Sequence, residues 1–487
     1  MRLSRRQTLS GLLAGIALPT LSGCQMAPGT GRESFNLLSA DDEAKMGREA
    51  HPQIMKEFGG AYDDPALQAY VAGIGQRLVR ASETPAAEYR FTVLNSDIVN
   101  AMALPGGYVY ITRGLLALNG NEAELAGVLG HEIGHITARH SAQRYSRAMA
   151  ANLGVGLLGA VLGTPGVADI AQMGAAYWLS SYSQENEFEA DSLGVRYVSR
   201  SGWHADAMAT MLTKLREHSR LEAVMAGRSP DSVDEHHFMS THPRTVDRVQ
   251  AAVKQSLGAP AQGQWGEAAF LDRVDGMVWG DDPKQGIIRG RSFLHPDLGL
   301  RFDVPAGFRL VNSDRAVMAR NQAGAVILFD GGAARGAGDM LAYMQRTWLP
   351  KVQLANGERI EINGMPAATA TARGRTKQGQ VDLRFVAVRF DGDSVYRFTF
   401  ATPPNQTAAL GEDLRRTTYS LRPLSAEERA GIRPLRVKVV TVKAGDTAEA
   451  LGGRMAMDSH RVEQFRLING LDAGEQPRAG SRVKLVV

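Results

Sequence analysis

His131 and His135 stand four residues apart with Glu132 beside the first, and Glu187 and Asp191, again four apart, begin 52 residues after the second histidine. Four residues is about one helical turn, so on a helix the two imidazoles share a face and can converge on one ion. Zinc suits them: it takes two imidazoles and a carboxylate, keeps a fourth position for water, and lowers the pKa of that water to about 7. Glu132, emerging next to the pair, is placed to accept a proton from such a water. Of the second pair, one carboxylate can ligate while the other accepts a hydrogen bond from a histidine of the first helix and so orients its ring. The pattern describes a hydrolytic centre with one Zn2+ per chain. His140 lies five residues past His135, about 140° round a continuing helix, and is read as no ligand.

The elements that must carry these groups are visible around them. Asn121 is a good N-cap and Glu124, three residues on, gives a start resembling a capping box. From there Leu125, Val128, Leu129, Ile133 and Ile136 recur at helical spacing, which predicts a helix buried along one face. Glu187 and Asp191 fall in a second helical stretch expected to end near Tyr197, and Tyr108–Ile111 has strand propensity. Leu153–Leu162 is apolar and Gly-rich, but Gly163-Thr164-Pro165-Gly166 interrupts it well short of the roughly 20 residues a spanning helix needs. It reads as a buried helix-and-loop insert, the alternative being a flap beside the active site.

At 487 residues the chain exceeds what one hydrophobic core supports, so several domains are expected. The formal charge of +4 is a terminal effect: Arg2, Arg5 and Arg6 supply three charges and residues 1–23 contain no acid, leaving +1 for the remainder. No nucleic-acid partner follows from such a balance. The basic start and the apolar run Leu9–Leu18 have the form of an export signal over residues 1–23. Leu21-Ser22-Gly23-Cys24 then resembles a bacterial lipobox, which makes Cys24 the expected lipid attachment site and membrane anchor. Gln25 behind it fits sorting to the outer membrane, and Ser4–Leu9 also resembles a twin-arginine signal. Cys24 is the only cysteine, so a lipidated chain has no internal disulfide.

Composition divides the rest. Residues 24–40 read as a tether and residues 41–256 as the metal-binding domain, mainly helical (α+β). A break at Leu257–Gly263 introduces an α+β domain at 266–422, with strands at Leu300–Val304 and Ala325–Phe329, a helix at Met340–Trp348, and a hairpin formed by Val381–Phe390 and Val395–Phe400. After a second linker at Pro423–Pro434 a small module fills 436–487. No fixed-period repeat is present.

His131–His135 together with Glu187 and Asp191 resembles the gluzincin metallopeptidases that include HtpX, the CAAX prenyl endopeptidases and the BepA-like (YfgC-like) periplasmic lipoproteins. The resemblance covers roughly residues 40–255. It implies zinc on His131, His135 and Glu187, with Glu132 as general base and Asp191 assisting. Asn100–Tyr110 is similar to the family's strand before the zinc helix, which implies that Leu104, Pro105, Gly106, Gly107 and Tyr108 meet an extended substrate. Thr241-His242-Pro243 with Arg248 is similar to the family's His-Pro segment, which implies that His242 supports the oxyanion or occupies the open metal position. BepA-like proteins carry helical tetratricopeptide repeats after the protease; this chain has no 34-residue period, so roles tied to those repeats do not transfer. Val439–Val487 resembles a βααβ LysM module, through Gly445-Asp446-Thr447 and Asn469-Gly470-Leu471, and implies a peptidoglycan partner; Gly452-Gly453 inside its first helix departs from that pattern. The middle domain is weakly similar to PsbP-like sandwiches. The expectation is a periplasmic, lipid-anchored zinc endopeptidase acting on unfolded or misassembled envelope proteins. The alternatives are a peptidoglycan peptide hydrolase and a latent protease serving as an envelope assembly or chaperone factor.

Overall fold

A computed structural model describes residues 24–36, 38–147, 180–231, 248, 251, 254, 263–313, 316–334, 338–376 and 379–487. The export signal, the insert at 153–162 and His242 lie outside the described residues. Behind the signal the chain forms a small antiparallel hairpin, β1 (Cys24–Met26) with β2 (Glu33–Phe35), where composition suggests only a tether. Two helices follow, α1 (Ala40–Glu57) and α2 (Pro65–Ala81). Ser39 caps α1 through a reciprocal pair with Asp42, and Asp64 caps α2 ahead of Pro65.

Next come β3 (Arg90–Leu94), β4 (Ala101–Leu104) and β5 (Tyr108–Thr112). They make a three-stranded sheet in the order β3-β5-β4, parallel between β3 and β5 and antiparallel between β5 and β4. All five residues of β5 are buried, as expected of a central strand covered on both faces. β4 is an edge. The loop between β4 and β5 takes Gly106 at φ +78° and Gly107 at φ +86°. A Cβ on Gly107 would also come within 2.0 Å of the Glu88 carbonyl oxygen, so only glycine fits there.

Beyond the short α3 (Arg113–Leu118) runs α4 (Glu122–Thr137), which carries both histidines. It is buried along nearly its whole length and packs against α2, β4, α5 (Gln184–Arg200) and α6 (Ala207–Met225). A helix hydrophobic almost all round belongs in the middle of a domain. The core around it includes Phe270, Leu271 and Val274 of α7 (Glu267–Val274), so the first turns after the linker pack with the histidine-bearing domain.

The middle of the chain is a sandwich. β7 (Ile287–Arg289), β8 (Ser292–His295) and β9 (Leu300–Asp303) join β17 (Arg422–Pro423) in one antiparallel sheet. A larger seven-stranded sheet is built from β10 (Arg309–Asn312), β11 (Val317–Arg320), β12 (Val326–Ala333), β13 (Ala355–Ile362), β14 (Met365–Thr376), β15 (Gly379–Arg389) and β16 (Ser394–Thr402). Phe293 and Phe302 of the small sheet meet Phe329 and Phe398 of the large one, closed by Leu414 of a covering helix at Thr407–Ser420. On the other face Phe385 and Ala387 pack under Met340, Tyr343 and Met344, while their neighbours Val386 and Val388 point into the sandwich. That is strand alternation with both faces covered. The segment expected as one helix at Met340–Trp348 is α-helical to Tyr343 and then a π-turn, Met344–Trp348.

The last module runs strand–helix–helix–strand: β18 (Leu435–Thr441), helices at Ala448–Gly453 and Arg461–Asn469, and β19 (Arg482–Val486). β18 pairs antiparallel with β19 and, on its other side, with β6 (Val278–Trp279). Gly470, in the left-handed region, closes the second helix as its sequence suggests. Among the described residues no helix is long and apolar enough to cross a membrane.

Candidate metal centre

Local signals set the two helices that matter. The Asn121 side chain accepts from the Glu124 amide at 2.9 Å. Glu124 reaches one residue further back than a capping box requires, accepting from the Gly120 amide at 2.7 Å and from Lys214 Nζ at 2.8 Å. Ser183 caps α5 through the Asn186 amide. The two helices then cross at small residues, Gly130 and Gly134 against Ala190 and Gly194, so that side chains flanking the crossing meet face to face.

Those side chains are the expected ligands. His131 Nε2 and His135 Nε2 lie 3.0 Å apart, and Glu187 brings Oε2 to 3.6 Å from the first and Oε1 to 3.5 Å from the second. All three residues are buried and their ligand atoms lie within 4.8 Å of one another. Zinc bonds of about 2.0–2.2 Å in a tetrahedron place ligand atoms about 3.3–3.6 Å apart. The two nitrogens and the carboxylate already stand close to that spacing, so the donor set fits one zinc ion.

The far side of each imidazole decides whether its inner nitrogen carries a lone pair. His131 Nδ1 lies 2.9 Å from Asp191 Oδ1, and a carboxylate only accepts, so the ring's proton belongs on that side and Nε2 is left as the ligand atom. His135 Nδ1 faces His140 Nδ1 at 2.8 Å, and His140 Nε2 lies 3.1 Å from Glu189 Oε2. A carboxylate only accepts, so Nε2 of His140 carries its proton; burial holds that ring's pKa down and keeps it neutral. Its Nδ1 is then the acceptor for His135, and His135 Nε2 too is left with a lone pair. His140 is outside the ligand set as expected, but for a different reason: α4 ends at Thr137, and Arg139 at φ +58° turns the ring back onto His135.

Charge is concentrated here. Arg248 is buried and bidentate on Asp191, with Nε to Oδ2 and Nη2 to Oδ1 both at 2.7 Å, and its Nη1 lies 2.5 Å from Glu187 Oε2. Burial opposes ionisation of Asp191, but the Arg248 charge and the His131 and Arg248 hydrogen bonds hold its carboxyl well below the usual range. Burial would lower the His131 pKa; the Asp191 hydrogen bond and the charges of Asp191, Glu187 and Glu132 outweigh it and raise the pKa. The same field that attracts a proton attracts a metal cation, and the two compete. Glu132 is buried beside the pair. Tyr182 stacks on His135 with ring centroids 4.1 Å apart and is tied to Ser141 by a 2.9 Å hydroxyl contact.

Of the expected substrate residues, Leu104 ends the edge strand β4, which lies against α4. Pro105, Gly106 and Gly107 form the turn, tucked beneath α1, where a Cβ on Gly47 would meet the Pro105 oxygen. Tyr108 opens the central strand and stacks with His51. Cys24 begins β1. Four supporting groups escaped sequence reasoning or were underweighted there: His140, Glu189, Tyr182 and the buried role of Arg248. Glu189, between two carboxylates already singled out, offered the best available signal.

Residues 65–256 match the model of peptidase family M48. The chain is 34% identical over 236 residues to the beta-barrel assembly-enhancing protease of Yersinia pestis, covering 47% of this chain and 46% of that protein. The Escherichia coli K12 protein of that name is 31% identical over 234 residues, 46% of each chain. The mitochondrial metalloendopeptidase OMA1 of Schizosaccharomyces pombe is 28% identical over 244 residues, 49% of this chain and 68% of its own. The chain spans about half the length of the assembly-enhancing proteases it matches. Among solved structures, cyanobacterial PsbP from Synechocystis aligns at 12% identity over 28% of this chain and 98% of its own, with a TM-score of 0.23, too low to carry an argument. The segment that matches the peptidase family M48 model holds the helix of His131 and His135, the helix of Glu187 and Asp191, and Arg248 against both.

Proposed function

We propose that this chain is a zinc metalloendopeptidase of the cell envelope that hydrolyses peptide bonds in unfolded or misassembled envelope proteins. The observation that carries the reading is the buried triad of His131, His135 and Glu187, with His131 backed by the Asp191 carboxylate and His135 by His140, itself held by Glu189, so that the inner nitrogens present lone pairs. Zinc held there would polarise the scissile carbonyl and lower the pKa of water to about 7. Glu132 accepts the proton of the attacking water and returns it to the leaving amine. Asp191 keeps His131 in the ligating tautomer. His242 keeps the role its resemblance implies, support of the oxyanion or closure of the open position. The edge of β4, unpaired by any strand among the described residues, suits an extended peptide, whose backbone pairing tolerates many sequences. The relatives' name supports substrates from β-barrel assembly.

The same reading places the chain in the periplasm, anchored by lipid on Cys24, in keeping with outer-membrane sorting. The strand–helix–helix–strand order of the terminal module supports a LysM-like fold and a peptidoglycan partner.

The test uses the full mature chain with Cys24→Ser. One zinc per chain and cleavage of an unfolded outer-membrane protein are expected. Glu132→Gln should keep its zinc and lose at least about 100-fold in rate, the usual contribution of a general base. Release of peptide from purified peptidoglycan without proteolysis would replace this reading with a cell-wall hydrolase. Bound zinc with neither activity would replace it with a latent assembly factor.

A further inference from the structure

The support behind His135 does not stop at Glu189. Thr30 lines the same cleft as the Glu189 carboxylate and favours its ionised form, and Arg32 Nη1 stands 3.7 Å from its Oε2. Both belong to the turn between β1 and β2, directly behind Cys24. That hairpin is pinned to the zinc helix itself: the Gly29 amide donates to the Thr137 carbonyl, the last residue of α4, at 2.9 Å. The approach needs glycine, because a Cβ at position 29 would lie 2.8 Å from Thr137 Oγ1 and 3.1 Å from Leu193 Cδ1. Ala27 beside it is buried. The outer side of Glu189 opens on a polar cleft of about 260 Å3 that Thr30, Arg32 and Glu33 wall on one side. Glu189 is thus held by the hairpin over a water-accessible cleft rather than sealed in the core.

We propose that Glu189 is a positioning residue for His135, acting through His140, and that the hairpin at residues 24–36 holds Glu189 in place. The segment that follows the anchor cysteine is therefore part of the zinc centre's support. The chemistry is tautomeric. With a carboxylate fixed at Glu189, His140 keeps its proton on Nε2 and accepts from His135 on Nδ1. Without that acceptor His140 is free to carry its proton on Nδ1, facing His135, which then places its own proton on the nitrogen meant for zinc. The inference rests on the zinc reading of the centre.

Its test measures zinc affinity, by competition with a chromophoric chelator, in the full mature Cys24→Ser chain. Glu189→Leu, close in volume but unable to accept, should weaken zinc binding about 10–100-fold, as loss of an outer partner of a ligating histidine does. Glu189→Gln, whose amide oxygen still accepts, should recover most of that. The thermal midpoint of the zinc-free protein should be the same in all three. Thr30→Val with Arg32→Ala should weaken zinc several-fold, and should add nothing when combined with Glu189→Leu, because both act through one chain of contacts. Zinc affinity within twofold of the parent in Glu189→Leu overturns the proposal, as does equal loss in the Gln and Leu variants. Additive losses overturn the part given to the hairpin. A parent that binds no zinc overturns the reading of the centre itself, which is a separate outcome.

Discussion

Arg248 holds the position at which the largest single-residue effect is expected. It is 1% exposed and neutralises Asp191 and Glu187, two carboxylates buried on one helix face with Glu132 nearby. Removing one partner of a buried ion pair strands the other charge, at about 3–5 kcal/mol. Arg248→Ala should therefore destabilise the zinc-free protein by that amount in urea unfolding. Arg248→Lys should be only a partial rescue, since an ammonium cannot reproduce the planar fork on Asp191. The acid side gives the sign independently. Asp191 has a depressed folded pKa, so its contribution is present above the ordinary carboxylate range and is lost only as pH falls through that low value. Without Arg248, burial is left to push the pKa up, and the acid-unfolding midpoint should move to higher pH. An unchanged midpoint and unchanged urea stability would show that Arg248 is not the counter-charge described.

At the scale of elements, ligand geometry depends on how closely α4 and α5 approach. A Cβ on Gly134, between the two histidines, would stand 3.0 Å from the Ala190 oxygen and 3.2 Å from its Cα. Two effects compete in Gly134→Ala: helix propensity favours alanine by about 1 kcal/mol, and overpacking costs about 1–3 kcal/mol. The clash is with backbone, which cannot rotate away, so net destabilisation is expected. Glu187 should also shift from the imidazoles, weakening zinc; a more stable variant with unchanged zinc affinity would contradict this account. These two helices were also the most legible parts of the chain, because caps, heptad-like apolar spacing and i, i+4 pairs are local signals. The end of α4 was not legible: Thr137-Ala138-Arg139 contains no glycine, proline or asparagine to mark it, and the left-handed Arg139 that redirects His140 is a tertiary outcome. In the sandwich the β15 run Phe385–Val388 reads simply as apolar, because helix and small sheet cover its two faces. Strand order there has no local signature. The hairpin at 24–36 read as a tether because its role rests on distant partners, Thr137 and Glu189.

Across the whole molecule, the terminal module is joined to the histidine-bearing domain by buried polar groups rather than by a linker alone. Arg113 Nη1 donates to the Val278 carbonyl at 2.8 Å and to that of Gly280 at 3.1 Å, and its Nε to Asn95 at 2.7 Å, tying α3 to β6. β6 is in turn paired with β18. From β19, Lys484 reaches back, fully buried, to donate to the Ala117 carbonyl at 2.7 Å and to that of Asn119. These acceptors sit at the C-terminal end of α3, where a helix leaves carbonyls without internal partners. Burial, with the nearby Lys214 charge, puts the Lys484 pKa well below its ordinary value, partly offset by Glu124. The unfolded chain then binds more protons than the folded one between the two values, so this residue's contribution to stability grows as pH rises toward the ordinary lysine range and falls away below it. Lys484→Met keeps the length and removes the titration. The stability of the parent minus that of the variant, from urea unfolding between pH 7 and pH 10, should rise by up to about 1.4 kcal/mol per pH unit, the limit for one proton. A difference that stays flat would mean that the ammonium is held charged by the α3 carbonyls. A difference that falls with pH would reverse the sign of the argument, and with it the view that the junction is built around a desolvated lysine.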